Sequence, residues 1–141
     1  MLYKFFVSLT WFGFVLGALG DLNKSLVKKI KGEDHLVTGG IFRLFRHPNY
    51  TGEMIGWTAS LLASVVSIFA ASIGSKSTAF LKSMALPLVT SLTGAMGILF
   101  VLLGATTGLE SKQKEKYGER PEYIEWVKTS WKGFSLAKTK E

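Results

Sequence analysis

Three stretches of the chain stay apolar long enough to cross a lipid bilayer, and the charged residues collect between and after them. Residues 84–109 are the clearest, 26 residues without a charge between Lys82 and Glu110. As a helix rising ~1.5 Å per residue they extend roughly 39 Å, more than the roughly 30 Å hydrocarbon core, which predicts tilt or a kink at Pro87. Residues 55–73 form a second charge-free run. Residues 3–19 form a third, broken only by Lys4, which is near enough to the end to snorkel toward the head groups.

The pattern predicts a helix over 3–19, a basic connector, a helix over 50–73, a polar turn at Gly74, Ser75 and Lys76, a long helix to about 109, and an amphiphilic tail. In the tail Gly118 stops a charged helix, and Pro121 suits the first position of another, with Glu122 in its first turn. The fold class is all-α integral membrane, with about three transmembrane helices and a cytoplasmic amphiphilic C-terminal helical tail. Small residues recur at four-residue spacing in Gly13/Gly17, Gly52/Gly56/Ser60 and Gly104/Gly108, which lets helix backbones approach closely in lipid.

Charge sets the orientation. With three spans, Lys24, Lys28, Lys29, Lys31, Arg43 and Arg46 share one side with the tail, while the opposite loop holds only Lys76 and Lys82. The basic loop is therefore expected in the cytoplasm. The first segment loosely imitates a cleavable signal peptide ending at Ala18, Leu19 and Gly20, but cleavage would send that loop to the other side. The protein is expected to be a multi-pass integral membrane protein, of the endoplasmic reticulum in a eukaryote or the inner membrane in a bacterium.

Of 141 residues, 48% are hydrophobic, and the net charge of +7 comes from the loops. That balance suggests anionic lipid or an anionic cofactor as partner, and no aromatic and basic platform of the nucleic-acid modules is visible. With no cysteine and two histidines, disulfides and thiolate metal sites are impossible and no metal is expected.

The densest chemistry is at Arg43, Arg46, His47, Asn49, Tyr50 and Glu53, against the start of an uncharged helix. Ionisable groups at a membrane edge must be paired or face a cavity, so the cluster is a candidate site. Plainer accounts stand beside that one. In these the His47 ring bonds a backbone carbonyl next to Pro48, and Asn49 and Glu53, four apart on one helix face, suit an ordinary side-chain hydrogen bond. The tail aromatics Tyr123, Trp126, Trp131 and Phe134 suit a lipid interface. Three spans nevertheless bring tail and cluster to one membrane face, where they could close over one ligand.

The run from Gly40 to Glu53, with its Arg-His-Pro-Asn-Tyr-x-Gly-Glu core, is preceded by Asp21 and Lys24 and followed by Lys116, Tyr117, Gly118, Pro121, Glu122 and Tyr123. It resembles the C-terminal domain of steroid 5-alpha-reductase-like membrane proteins, and most closely the DUF1295 branch. The resemblance covers about 21–134. It divides the chain into a transmembrane helix over 1–20, a steroid-reductase C-terminal-like membrane domain over 21–134 with spans at about 53–74 and 84–109, and a polar tail over 135–141. Members of the reductase branch use NADPH to reduce a carbon-carbon double bond conjugated to a carbonyl in a sterol or other lipid. By motif position the resemblance implies that Asn49, Tyr50 and Glu53 line the cofactor site, that Asp21 and Lys28 approach from the connector, and that Tyr117 approaches from the tail. Arg43 and Arg46, with Lys28 and Lys29, offer cations to a dinucleotide phosphate, and His47 is a candidate contact. No catalytic residue is assigned.

His35, Leu36, Val37, Thr38, Gly39 and Gly40, followed by Arg46, His47, Pro48, Tyr50 and Gly52, also resemble isoprenylcysteine carboxyl methyltransferases and related phospholipid methyltransferases, which bind S-adenosylmethionine. For that cofactor, Glu53 or Glu110 would face the sulfonium. The pair Asn49 and Glu53 favours the reductase group. Both families build their substrate cavity from helices that precede this domain, and only one short helix precedes Asp21 here. Three alternatives follow: a second copy or a partner supplies helices, the chain is a fragment, or it is a truncated non-catalytic membrane scaffold.

Overall fold

The structure, a computed structural model, describes residues 2–75 and 78–134. Its elements are α1 (Leu2–Lys31), a 3₁₀ turn (Gly40–Arg43), α2 (Pro48–Ser75), α3 (Thr78–Tyr117) and α4 (Pro121–Thr129), with no strand among the described residues. The first three helices are long and apolar enough to cross a membrane. α2 lies between the other two, packing along α1 and more sparsely against α3.

Close packing of α1 on α2 follows from glycine. A Cβ built at Gly13 would lie 2.5 Å from the Gly56 backbone nitrogen, and one built at Gly52 would strike the Gly13 and Gly17 backbones, so the helices touch main chain to main chain. Beside this seam the Phe14 and Trp57 rings meet edge to face at 5.4 Å. Gly104 and Gly108 on α3 have no neighbour within 4 Å of an added Cβ and take no part in this packing.

Two helices are longer than the hydropathy pattern predicts. α1 does not end at 19 but runs on through the basic connector and across the 20/21 boundary to Lys31. The stretch is charged, yet residues 21–31 contain no glycine or proline to break the helix. Lys28, Lys29 and Lys31 occupy the last turn, where the helix dipole favours cations, and Gly32 closes it at φ 93° with its N–H on the Lys28 carbonyl at 2.8 Å. Likewise α3 passes through Pro87 and continues beyond 109 to Tyr117, with Gly118 N–H bonded to the Lys114 carbonyl. Its 40 residues extend roughly 60 Å, so its charged end projects past any bilayer. Pro121 opens α4 as the sequence suggests. Of the expected turn, Gly74 and Ser75 instead continue α2, while Lys76 and the tail over 135–141 lie outside the described residues.

At the polar end of the three helices sits a small core of Leu36, Val37, Phe42, Tyr117, Tyr123 and Trp126. Tyr123 and Trp126 are therefore buried, whereas Trp131 and Phe134 remain about half exposed. The Trp126 indole N–H donates to the Phe42 carbonyl at 2.6 Å. A two-bond bridge follows, Trp131 N–H to the Leu44 carbonyl and Arg46 N–H to the Trp131 carbonyl, both 2.9 Å. Tail and connector thus form one lid-like layer across the helix ends.

Candidate functional site

The connector ends where Pro48 starts α2, which fixes Arg46 and His47 at the helix entrance between α3 and the lid layer. Both are nearly inaccessible, Arg46 5% and His47 1% exposed. Burying a guanidinium without a partner is prohibitive, and Glu110 of α3 supplies one: it accepts from Arg46 Nη1 at 2.8 Å and lies 2.6 Å from His47 Nε2. The cost of desolvating three polar groups is offset only because each holds the others. Arg46 Nε is buried and makes no bond, which leaves one donor of that fork unused.

Beside this network opens a recess of about 160 Å³. α1 contributes Lys24 and Lys28, the connector His35, Leu36, Val37 and Phe42, the entrance of α2 Arg46, His47 and Asn49, and the end of α3 Leu109, Lys112, Gln113, Lys116 and Tyr117. Five cationic side chains line it and no carboxylate does. Lys28 pairs with Glu33 at 3.3 Å, and Lys116 pairs with Asp34. The Lys116 ammonium, through its hydrogen bond and then its charge, holds the Asp34 carboxyl below the usual carboxylate range. The Tyr117 hydroxyl donates to the Asp34 carbonyl at 3.2 Å, and the Arg120 guanidinium stacks 4.9 Å from the Tyr117 ring centre. Beneath the lid, burial first and the nearby Glu110 second push the Tyr123 phenol up, against the pull of Arg46.

Of the residues singled out in the sequence, Lys28, Arg46, His47, Asn49 and Tyr117 come together in this recess, and Asp21, Arg43, Tyr50 and Glu53 lie elsewhere. Glu53 is half-buried on the seam with α1, its Cγ 3.7 Å from where a Gly17 Cβ would stand, and within electrostatic reach of Asp21. No side-chain hydrogen bond joins it to Asn49. Arg43 is exposed and borders a shallow groove with Glu122 and Glu125. Tyr50 stands against His47, ring centres 6.5 Å apart. His47 bonds a carboxylate, so the backbone-carbonyl account of its ring gives way to Glu110. Lys112 and Gln113 escape the sequence reading, and Lys116 is given no site role there, although the signal is present: with Leu109 they follow a 3-and-4 spacing that only a helix continued past Glu110 puts on one face.

Fold and site define an all-helical membrane protein whose polar chemistry is concentrated at one end of its helices. The profile of the family described as "Protein of unknown function (DUF1295)" matches residues 4–130, and the chain belongs to that family, the one its motif resembles. No curated protein and no solved structure matches it.

Proposed function

We propose that the protein is a membrane-embedded, NADPH-linked reductase-like protein whose polar end faces the cytoplasm and which acts on a lipid. The observation that carries this is the recess with five cationic side chains and no carboxylate. Three of the five are ion-paired to carboxylates outside the lining, and the two left unpaired favour a polyanionic dinucleotide over the sulfonium of S-adenosylmethionine. The carboxylates a sulfonium would require are committed elsewhere, Glu110 to Arg46 and His47 and Glu53 to the α1–α2 seam.

The donor set fits a phosphate-bearing ligand: Lys24, Lys28, Lys112 and Lys116 as ammonium donors, Asn49 as an amide, and Arg46 as a buried cation in the wall. At about 160 Å³ the recess is smaller than the ~300 to 1,000 Å³ that encloses a whole small ligand, so it receives a charged part while the remainder lies along the open mouth. When bound, NADPH supplies a hydride. The chain's own contribution is to fix the charged part, with Arg46 and His47 immobilised by Glu110 so that the wall does not rearrange. An apolar groove of about 390 Å³, bordered by Leu9 of α1, Met54 and Leu62 of α2, Leu103 of α3 and Phe134, supports a hydrocarbon substrate approaching from the bilayer.

Thermal unfolding of the purified protein in detergent tests the reading. Ligand at ~100 times its dissociation constant stabilises by about 2.7 kcal/mol if it binds only the folded state. NADPH is expected to protect and S-adenosylmethionine is not. Protection by S-adenosylmethionine alone transfers the protein to the methyltransferase class, and protection by neither leaves a scaffold.

A further inference from the structure

The lysines of the recess form two pairs, each one helical turn apart: Lys24 and Lys28 on α1, Lys112 and Lys116 on α3. Both helices run toward the polar end, so Lys24 and Lys112 lie about 6 Å deeper than their mates at ~1.5 Å per residue. The outer pair is neutralised by the connector, Lys28 by Glu33 and Lys116 by Asp34. The one guanidinium at the recess wall, Arg46, is already balanced by Glu110. The inner pair makes no ion pair and no side-chain hydrogen bond, although Leu36, Val37 and Leu109 border the same recess. Lys24 is half-buried and Lys112 exposed, and two unpaired ammonium groups lining one partly apolar recess give it a positive potential that attracts an anion.

We infer that Lys24 and Lys112 form a binding site for a phosphomonoester, a terminal phosphate group. Charge and size choose this class. A phosphomonoester carries about −1.5 to −2 at neutral pH, which balances two ammonium groups, whereas one phosphodiester carries a single negative charge. A recess of about 160 Å³ takes a group that ends a molecule more readily than one in its middle. The Asn49 side chain, on a residue more than nine-tenths buried, gives a further donor at the wall. The inference deepens the dinucleotide reading and rests on it for one of two sources. The terminal phosphate is either the 2′-phosphate that distinguishes NADPH from NADH or the head group of phosphatidic acid.

The test compares monoester with diester in both series, using the full chain in nanodiscs. Dinucleotide affinity is measured for NADPH against NADH, and lipid affinity for phosphatidic acid against phosphatidylglycerol. A preference of tenfold or more for the monoester is expected in one series, which identifies the source. The variant Lys24→Gln with Lys112→Gln is expected to abolish that preference while leaving the melting temperature unchanged, because neither side chain bonds to the protein. Lys114→Gln on the same helix is the control and is expected to keep the preference. Equal binding of NADPH and NADH, with no preference for phosphatidic acid, overturns the monoester site and leaves the dinucleotide reading standing. Preference for phosphatidic acid with no dinucleotide binding upholds the monoester site and removes the dinucleotide. A preference that survives the double substitution assigns the phosphate to other residues and overturns the inference, as does the absence of any preference in either series.

Discussion

Arg46 and Glu110 lie 64 residues apart in the chain and 2.8 Å apart in the structure. That contact ties the entrance of α2 to α3 where these helices leave the apolar zone, and His47 joins it on the second carboxylate oxygen. Because Arg46 also donates its backbone N–H to Trp131, the same residue holds the tail in place.

Removal of Glu110 should therefore be costly. Glu110→Ala leaves a guanidinium buried without its partner, and breaking a buried pair from one side costs about 3–5 kcal/mol. Thermal or chaotrope unfolding in detergent measures it. Glu110→Gln, which keeps an acceptor but not the charge, is expected to lose less, and a loss under about 0.5 kcal/mol for Glu110→Ala would show that solvent reaches Arg46.

The glycines divide into two groups with opposite expectations. Gly13→Ala places a methyl 2.5 Å from the Gly56 nitrogen, and main chain cannot rotate away as a side chain can. The α1–α2 seam must open, at a cost of about 1–3 kcal/mol or more. Gly104→Ala meets nothing within 4 Å and is expected to be neutral or to stabilise by about 0.5–1 kcal/mol through helix propensity. Melting temperatures of the two variants should move in different directions.

Asn49 and Glu53 share the motif but not the recess, so they should respond differently. Asn49→Ala removes an amide from the recess wall and is expected to weaken NADPH binding about tenfold, about 1.4 kcal/mol. Glu53→Gln, on the seam with α1, is expected to leave that affinity within twofold. Titration of both variants with NADPH checks this, and the reverse pattern would return the cofactor to the face of α2 that carries Glu53.

Orientation can be read chemically because the chain has no cysteine of its own. Single cysteines at Lys29, near the end of α1, and at Lys128, in α4, are expected to react from the same side of sealed vesicles, with Val7 protected by lipid. Reaction of the first two from opposite sides would be incompatible with a lid that bridges the connector and the tail.

Asp34 adds a dependence on pH. Its carboxyl is held below the ordinary range by Lys116, so its contribution to stability is present above the unfolded-state value and disappears as pH falls through the lower folded-state one. Both partners are exposed, so the effect is small and screened by salt. Asp34→Asn is expected to lower the melting temperature slightly at neutral pH in low salt, and to match the parent in molar salt or well below the usual carboxylate range.

By itself the sequence determined the number and placement of the apolar helices, the side on which charge collects, and the motif that names the family. These follow from local quantities: runs without charge, glycine and proline as breakers, and a short pattern of residue types. It did not determine how far α1 and α3 extend into polar sequence, because a charged stretch without a breaker is equally well solvated as loop or as helix, and contacts with the connector decide between them. Nor did it determine that Glu110 is the partner of Arg46 and His47, since nothing in the composition of residues 46–47 marks a carboxylate more than 60 positions away. Only the tertiary structure, by setting the ends of α1 and α3 around one recess at the entrance of α2, placed Lys24 and Lys112 on its lining and left Glu53 on a helix seam, because the face a residue presents depends on which helix lies next to it.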